Sequence, residues 1–515
     1  DLFGAGHAGT RISAALGMNE AVHQRGGDEK TVAIIGDGSM TSGLAFEGLN
    51  QAGHIGRNLI VVLNDNEMGI SPNVGALGSF LSRKLISRRA LKVKSEVKAL
   101  LKSLPAMGET VYHGLKKAED AVVGFFTPGL MFEGFGFEYV GPIDGHDVLG
   151  LVKVLEDAKR VEHPLLIHAI TKKGYGYPPA EADPLKYHGV GKFDPVTGEL
   201  AKEKAGLPSY TAVFGEAICD LAEEDERIIA ITAAMCPGTG LTAFSERFPK
   251  RFYDVGISEA HGVTFAAGMA TEGYRPVCAI YSTFLQRAYD SIVHDVGIQG
   301  LHVVFSMDRG GIVGADGPTH QGLYDFAYMR HIPGVVVMAP KDENEMRRML
   351  RTAIEHDGPI SLRYPRGEGE GAALDKDIRA LPIGVSELLR EGADVALLGI
   401  GNTVYPCLRA AELLAKEGVR AAVLNARFVK PLDRAAILGL ADRCGALVTV
   451  EEHVLQGGFG SAVAELLVDE RRTTPLLRLG IPDVYVDQGP QPVMRKLYGL
   501  HPEGIAASAL KLLRS

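Results

Sequence analysis

Thr31-Val32-Ala33-Ile34-Ile35-Gly36-Asp37-Gly38 and Leu59-Ile60-Val61-Val62-Leu63-Asn64-Asp65-Asn66 decide how this chain is read. Each begins as a short apolar, β-branched run and stops abruptly in small, polar and acidic residues. Such near-continuous apolar runs belong to strands of parallel sheets covered on both faces. The polar ends then lie at the carboxyl ends of parallel strands, where open α/β sheets bind ligands. The glycines allow backbone to approach a phosphate closely. Asp37 offers a hard carboxylate oxygen and Asn66 an amide oxygen. Mg2+ takes about six oxygens and shares them with substrate phosphates. Two side chains and a backbone carbonyl, that of Met68, would leave room for two phosphate oxygens and a water. A lone Gly-Asp-Gly is commonly a simple turn. Its coupling to an Asn about 28 residues further on, with a helix and a strand between, predicts a metal and diphosphate site.

The same punctuation recurs along the 515 residues. Apolar runs at 31–35, 59–63, 164–170, 228–232, 277–281, 303–306, 335–338, 395–400, 421–425, 446–450 and 476–479 alternate with helical stretches. This is the pattern of α/β folds with parallel sheets flanked by helices. At roughly 150 residues per domain the length predicts about three domains. Residues 178–208, rich in Pro, Gly, Lys and Asp, read as a linker, and 367–381 mark a second shift in composition. The expected domains are 1–180, 208–366 and 382–515, with 181–207 linking the first two.

A hydrophobic content of 46% and a charged content of 23% are those of a soluble globular protein. The net charge of −9 speaks against a dedicated nucleic-acid binder. Residues 81–120 carry Arg83, Lys84, Arg88, Arg89, Lys92, Lys94, Lys98 and Lys102 at helical spacing, without the interleaved aromatics of a nucleic-acid surface. They read as a solvated helical face. Cys219, Cys236, Cys278, Cys407 and Cys444 are scattered and odd in number, which fits a reduced cytoplasmic protein. No apolar run reaches the roughly 18 residues of a membrane helix. Gln456-Gly457-Gly458-Phe459-Gly460 reads as a fold-related loop, because no strand–Gly-x-Gly-x-x-Gly–helix unit surrounds it.

The metal and diphosphate spacing resembles the thiamin diphosphate signature of transketolase-type enzymes. The resemblance extends along essentially the whole chain and becomes specific for the 1-deoxy-D-xylulose-5-phosphate synthase family. The runs that carry it are Asn66-Glu67-Met68, Tyr139-Val140-Gly141-Pro142-Ile143-Asp144-Gly145-His146-Asp147, Tyr281-Ser282-Thr283-Phe284-Leu285-Gln286-Arg287-Ala288-Tyr289-Asp290 and Asp308-Arg309-Gly310-Gly311-Ile312-Val313-Gly314-Ala315-Asp316-Gly317. Arg363-Tyr364-Pro365-Arg366-Gly367 and Arg427-Phe428-Val429-Lys430-Pro431-Leu432-Asp433 match as well. The resemblance implies a three-domain transketolase-like fold and a homodimer. It implies pyruvate and D-glyceraldehyde 3-phosphate as substrates, and no nucleic-acid or membrane partner.

The resemblance also assigns residues. Asp37, Asn66 and Met68 are implied metal ligands. Gly6, His7, Ala8, Gly38, Ser39, Asn66, Tyr177, Glu259 and Phe284 are implied cofactor contacts. Glu259, in Ile257-Ser258-Glu259-Ala260-His261, matches the family glutamate beside the pyrimidine nitrogen N1′; read alone it is an acid in the first turn of a helix. A carboxyl sharing a proton there needs a raised pKa from partial desolvation. Phe284 is implied to pack on the pyrimidine. Tyr281, Arg309, Asp316 and Arg366 are implied substrate contacts. Two of them are guanidiniums at predicted strand ends, suited to forking onto a phosphate. His188 and His320, with His7, are candidates for proton transfer.

The chain also departs from the family pattern. Ala8 and Gly9 stand where hydroxyl residues are usual, and Cys236-Pro237-Gly238 is a loop variant. The chain opens inside a motif, so an amino-terminal stretch with two further functional histidines is expected to precede it. Two other readings stay open: a transketolase or 2-oxoacid dehydrogenase component, and a catalytically silent cofactor-binding homologue.

Overall fold

Strands β1 (Val32–Gly36) and β2 (Ile60–Asp65) form on the two decisive runs and pair in parallel, with Gly36 opposite Asn64. Helices Asp37–Met40 and Gly43–Ile55 make the crossover between them. Gly56, at φ 72, closes the second helix in the left-handed conformation usual at that position. Strands β3 (Glu138–Asp144) and β4 (Leu165–Ile170) complete a parallel sheet in the order β1-β2-β4-β3. Ile12, Leu16, Ile35, Met40, Leu49, Leu63, Phe132 and Leu166 pack into its core. β1 departs from the expectation of burial on both faces. It lies at the sheet edge among the described residues, with alternating burial, and Ile34 is 55% exposed.

The computed structural model describes residues 2–68, 74–76, 129–200 and 206–514. The basic stretch at 81–120 lies outside the described residues. The chain divides into two units. The first holds Asp1–Lys202 and Gly256–Ser258, with the sheet just described. The second holds Glu203–Val255 and Glu259–Ser515.

Two sheets build the second unit. Strands β5 (Ile228–Thr232), β6 (Phe252–Asp254), β7 (Arg275–Tyr281), β8 (Val304–Gly310), β9 (Val336–Met338) and β10 (Ile360–Pro365) run parallel, in the order β9-β10-β8-β7-β5-β6. The other sheet holds β11 (Glu387–Arg390), β12 (Val395–Gly399), β13 (Ala421–Asn425), β15 (Leu447–Val454) and β16 (Leu476–Ile481), in the order β11-β13-β12-β15-β16. Only β11 is antiparallel there. The remaining strand, β14 (Phe428–Lys430), leaves its sequence neighbours and adds antiparallel to β9, at the edge of the first of these sheets. A single apolar cluster runs from Phe305 and Val337 through Leu398 and Leu424 to Phe459. Fully burying a side chain of this size contributes about 1.5–3 kcal/mol, so the two sheets stabilise each other.

The glycine-rich loop at 456–460 has a packing reason. The Glu451 carboxylate accepts the backbone N–H groups of Phe459 (2.6 Å) and Gly460 (2.8 Å), at the start of helix Phe459–Asp469. A Cβ on Gly458 would collide with that carboxylate. The place where a phosphate would sit on this helix terminus is filled by the protein's own acid. Among the described residues no helix is long and apolar enough to cross a membrane.

Candidate cofactor and substrate site

In the first unit, three adjacent strand ends converge. Parallel register sets Gly36 beside Asn64, and Asn64 and Asp65 beside Ala169 and Ile170. Asp37, the 64–66 turn and Thr171 therefore leave the sheet together. Asp37 is 1% exposed and begins helix Asp37–Met40, where its Oδ1 accepts the Gly38 N–H at 3.0 Å. Gly38 is buried beside it and Ser39 half-buried. The Thr171 hydroxyl donates to Asn64 Oδ1 at 2.7 Å. Asn66 Oδ1 accepts the Met68 N–H at 3.1 Å, and Asp65 Oδ1 accepts the Glu67 N–H at 3.1 Å. These bonds hold Glu67 at φ 62, a left-handed backbone costly for a residue with a side chain.

Asp65 Oδ2 lies 2.9 Å from His168 Nε2, and His168 Nδ1 lies 2.7 Å from the Tyr139 hydroxyl. Burial works to raise the Asp65 pKa. The hydrogen bond and charge of His168, with a hydrogen bond from the Asp37 carboxyl, outweigh it and leave Asp65 below the usual carboxylate range. Two carboxyls at adjacent strand ends are hard oxygen donors of the kind a divalent cation takes. Among the described residues no group of three or more His, Cys, Asp or Glu could hold a metal. A cation here would rest on mixed carboxylate, amide and backbone oxygens, and the chemistry of Asp37, Asn66 and the Met68 backbone fits that.

Lys173 follows β4. Burial pulls its pKa down, and the Asp37 carboxylate partly restores it. His188 is held below its ordinary value by desolvation and by the Lys173 ammonium, so Lys173 lies within electrostatic reach of both Asp37 and His188. Tyr177 packs edge-on against Tyr187 (5.7 Å between centroids) and tilted on Phe193 (5.9 Å). Gly6, His7 and Ala8 precede helix Arg11–Gln24, with Gly6 exposed and the other two half-buried. The unusual Gly9 sits at φ 87 against Ser42, where a Cβ would collide, so this chain has no room for a hydroxyl residue there.

The second unit repeats the logic. Tyr281 pairs with Asp308 and Gly310 with Pro365, so Tyr281, Arg309 and Arg366 leave the adjacent ends of β7, β8 and β10. The Arg309 guanidinium lies over the Tyr281 ring at 4.1 Å. Asp316 Oδ2 accepts from both arginines, at 3.2 Å from Arg309 and 2.9 Å from Arg366. Phe284 stacks on Tyr281 (5.7 Å, 12°), and His320 meets Phe284 edge-on (5.4 Å, 79°). Arg309 is held at φ 60. Burial lowers the His320 pKa, with Arg309 adding to it against the pull of Asp316. Burial pushes the Tyr281 hydroxyl well up and Asp308 up to about 6. The Tyr281 hydroxyl and Asp308 Oδ1 are buried without a hydrogen-bond partner among the described residues. A polar ligand would supply what they lack.

Glu259 opens helix Glu259–Thr271 and is 4% exposed. Burial raises its pKa, and Arg287, whose guanidinium lies 3.6 Å away, only partly opposes that. The environment favours a proton-bearing carboxyl. Within this unit the structure thus gathers Tyr281, Phe284, Arg309, Asp316, His320 and Arg366. In the other, Asp37 and the turn carrying Asn66 and Met68 leave adjacent strands, and Lys173 acts electrostatically on His188. Sequence reasoning missed Lys173, although it lies four residues before Tyr177. It also missed Arg287 beside Glu259, and the Asp65–His168–Tyr139 chain, whose only signal is a His inside the apolar run 164–170.

Comparison with known proteins gives the family. A sequence model of 1-deoxy-D-xylulose-5-phosphate synthase matches residues 1–171. Models of the transketolase pyrimidine binding domain and the transketolase C-terminal domain match 207–370 and 384–505. The chain is 58% identical over 509 residues to 1-deoxy-D-xylulose-5-phosphate synthase 1 of Geobacter sulfurreducens, covering 99% of this chain and 80% of that protein. It is 54% identical over 510 residues to the synthase of Desulforudis audaxviator, covering 99% and 80%. Among solved structures, a split-gene transketolase described as an inactive β4 tetramer matches with TM-score 0.54 and 32% identity, over 60% of this chain and 99% of that one. Transketolase from Campylobacter jejuni matches with TM-score 0.51 and 19% identity, over 98% of this chain and 82% of that one, which shows the fold alone. With a transketolase-like α/β fold and identity of this extent, the chain belongs to the 1-deoxy-D-xylulose-5-phosphate synthase family of transketolase-type transferases.

Proposed function

We propose that this chain uses thiamin diphosphate and Mg2+ to join pyruvate to D-glyceraldehyde 3-phosphate, releasing carbon dioxide and 1-deoxy-D-xylulose 5-phosphate. The product would feed isoprenoid, thiamin and pyridoxal synthesis. The observation that carries the reading is the convergence of Arg309 and Arg366 on Asp316, beside the Tyr281–Phe284–His320 stack, in a member of this family. Paired guanidiniums beside an aromatic floor suit a small phosphorylated acceptor.

When bound, thiamin diphosphate supplies the nucleophilic carbon and the electron sink for decarboxylation. In the first unit Asp37, Asn66 and the Met68 carbonyl hold the metal. Gly38, Ser39, Gly6, His7 and Ala8 approach the diphosphate, and Tyr177 contacts the cofactor. In the second unit Glu259 lends its proton to the pyrimidine nitrogen, and Phe284 packs on that ring. Arg309 and Arg366 take the acceptor phosphate, with Tyr281 and Asp316 orienting it. His188 and His320, both held below their ordinary pKa, stay neutral near pH 7 and can accept a proton. The working form is a homodimer in the cytoplasm.

The test supplies thiamin diphosphate, Mg2+, pyruvate and D-glyceraldehyde 3-phosphate, and follows carbon dioxide and deoxyxylulose phosphate. Carbon dioxide and the sugar phosphate in equal amounts, only with both substrates present, are expected. Tight cofactor binding without either product would overturn the reading in favour of a silent cofactor-binding homologue.

A further inference from the structure

The loop from Arg309 to Gly322 carries Arg309, Asp316 and His320, yet much of its backbone is fastened from elsewhere in the second unit. Glu452, on β15 and 1% exposed, accepts the Ile312 N–H through Oε1 at 2.7 Å. Its other oxygen accepts from Asn402 Nδ2 at 2.6 Å and Arg495 Nε at 2.9 Å. Gln491 begins helix Gln491–Leu497 and donates through Nε2 to the Ile312 carbonyl (2.6 Å) and the Arg366 carbonyl (3.1 Å). Both backbone groups of Ile312 are therefore held by side chains that lie more than a hundred residues further along the chain, 140 away for Glu452 and 179 for Gln491. The Gly489 N–H donates to the Gly314 carbonyl at 3.3 Å, and Gln321 ties Val313 to the 486–487 backbone. At Gly311, φ is 84 and a Cβ would lie 2.7 Å from Glu452 Oε1, so the loop passes as close to the carboxylate as backbone can.

We propose that Gln491 and Glu452 are positioning residues for the acceptor phosphate, setting the spacing of Arg309 and Arg366 without touching the phosphate themselves. The proposal rests on the acceptor reading above. The Gln491 amide is the decisive element, because one group bridges the backbones of both segments that carry the arginines. Bidentate recognition depends on placement to about 0.5 Å, so loosening either segment weakens the grip on phosphate more than it disturbs the fold. The carboxyl-terminal region thereby gains a part in substrate recognition that neither its distance in sequence nor its apolar core announces.

The test is Gln491→Leu in the full chain, which keeps side-chain bulk and removes the amide. Two neutral hydrogen bonds are lost, which predicts a rise of about tenfold in KM for D-glyceraldehyde 3-phosphate. The KM for pyruvate is expected within about twofold of the parent, with kcat nearly unchanged and Tm lowered by only about 2–4 °C. Binding of inorganic phosphate to the cofactor-free chain, followed by isothermal titration calorimetry, is expected to weaken by a similar factor. An equal rise in both KM values, or phosphate binding equal to the parent's, would overturn the proposal. So would absence of phosphate binding by the parent. Glu452→Gln, which keeps the acceptor for Ile312 but loses the charge facing Arg495, is expected to show the same split if it folds. If the parent makes no sugar phosphate, the acceptor reading fails, and the phosphate titration still decides whether Gln491 spaces the arginines.

Discussion

Replacing Glu259 by Gln separates chemistry from folding, because the structure predicts a large effect on the first and a small net effect on the second. The carboxyl is 4% exposed and its pKa is raised by burial, with Arg287 at 3.6 Å opposing. Gln fills the same volume but has no proton to share with a ring nitrogen. Loss of a positioned proton-transfer group typically costs about 10²–10⁴-fold in rate, or about 3–5 kcal/mol of barrier. Stability follows from linkage. A carboxyl whose folded pKa lies above its unfolded value contributes stability below the unfolded value, and that contribution is lost as pH rises through the folded one. The ordinary value is 4.5, so the parent surrenders this contribution from about pH 4.5 upward, and the Glu259→Gln variant surrenders none. The variant also loses the Arg287 contact, a pair worth up to about 1 kcal/mol. Near pH 7 the two terms oppose, and the net change in stability is expected within about 1 kcal/mol. The assay pairs carbon dioxide release at saturating cofactor with urea unfolding at pH 5 and pH 8. Turnover near the parent's would refute the assigned role. Equal stability differences at both pH values would refute the raised pKa.

Three further outcomes follow from the geometry. Arg366→Ala removes one of the two guanidiniums on Asp316 and is expected to raise the acceptor KM at least about tenfold with little change in that for pyruvate, read by initial rates. Asp37→Asn is expected to weaken Mg2+-dependent cofactor binding by about 10–100-fold or more, seen by calorimetry with and without the metal. His168→Ala leaves the buried Asp65 without its main partner and should cost about 3 kcal/mol in denaturant unfolding at neutral pH. Asp65 is depressed below 3.8, so the parent holds this contribution above that pH and loses it on further acidification. The variant is expected to lose less stability than the parent over the same acid range.

The parallel sheets are legible because their strands are short apolar runs. The runs at 228–232 and 421–425 have the bounds the structure gives to β5 and β13. Two short strands escape, although the equally short β9 lies in the apolar run 335–338. β14 has three residues and β6 three, too few for any periodicity to show. The ligand-facing ends are legible too, because a parallel strand that stops in Gly-Asp-Gly or Asn-Asp-Asn has somewhere to put polar atoms. What sequence could not supply was pairing across the sheet. Nothing near Glu259 in sequence points to Arg287, which the packing of two helical segments brings beside it, and nothing near Asp65 points to His168, which strand register brings beside it. Gln491 lies further off still, in a helix whose first residue looks like an ordinary surface amide.

The short strand β14 has a consequence for how this chain can be cut. It comes after the 367–381 segment in sequence, yet it is hydrogen-bonded to β9, which comes before it. A protease that nicks 367–381 breaks a covalent link but not the clasp, and the pieces should leave a sizing column together until denaturant separates them. A gene split at the same point would give one product with the raw edge of β9 uncovered and another with a dangling strand, each inviting aggregation. The seam at which this half of the protein can be divided is therefore not where its composition changes.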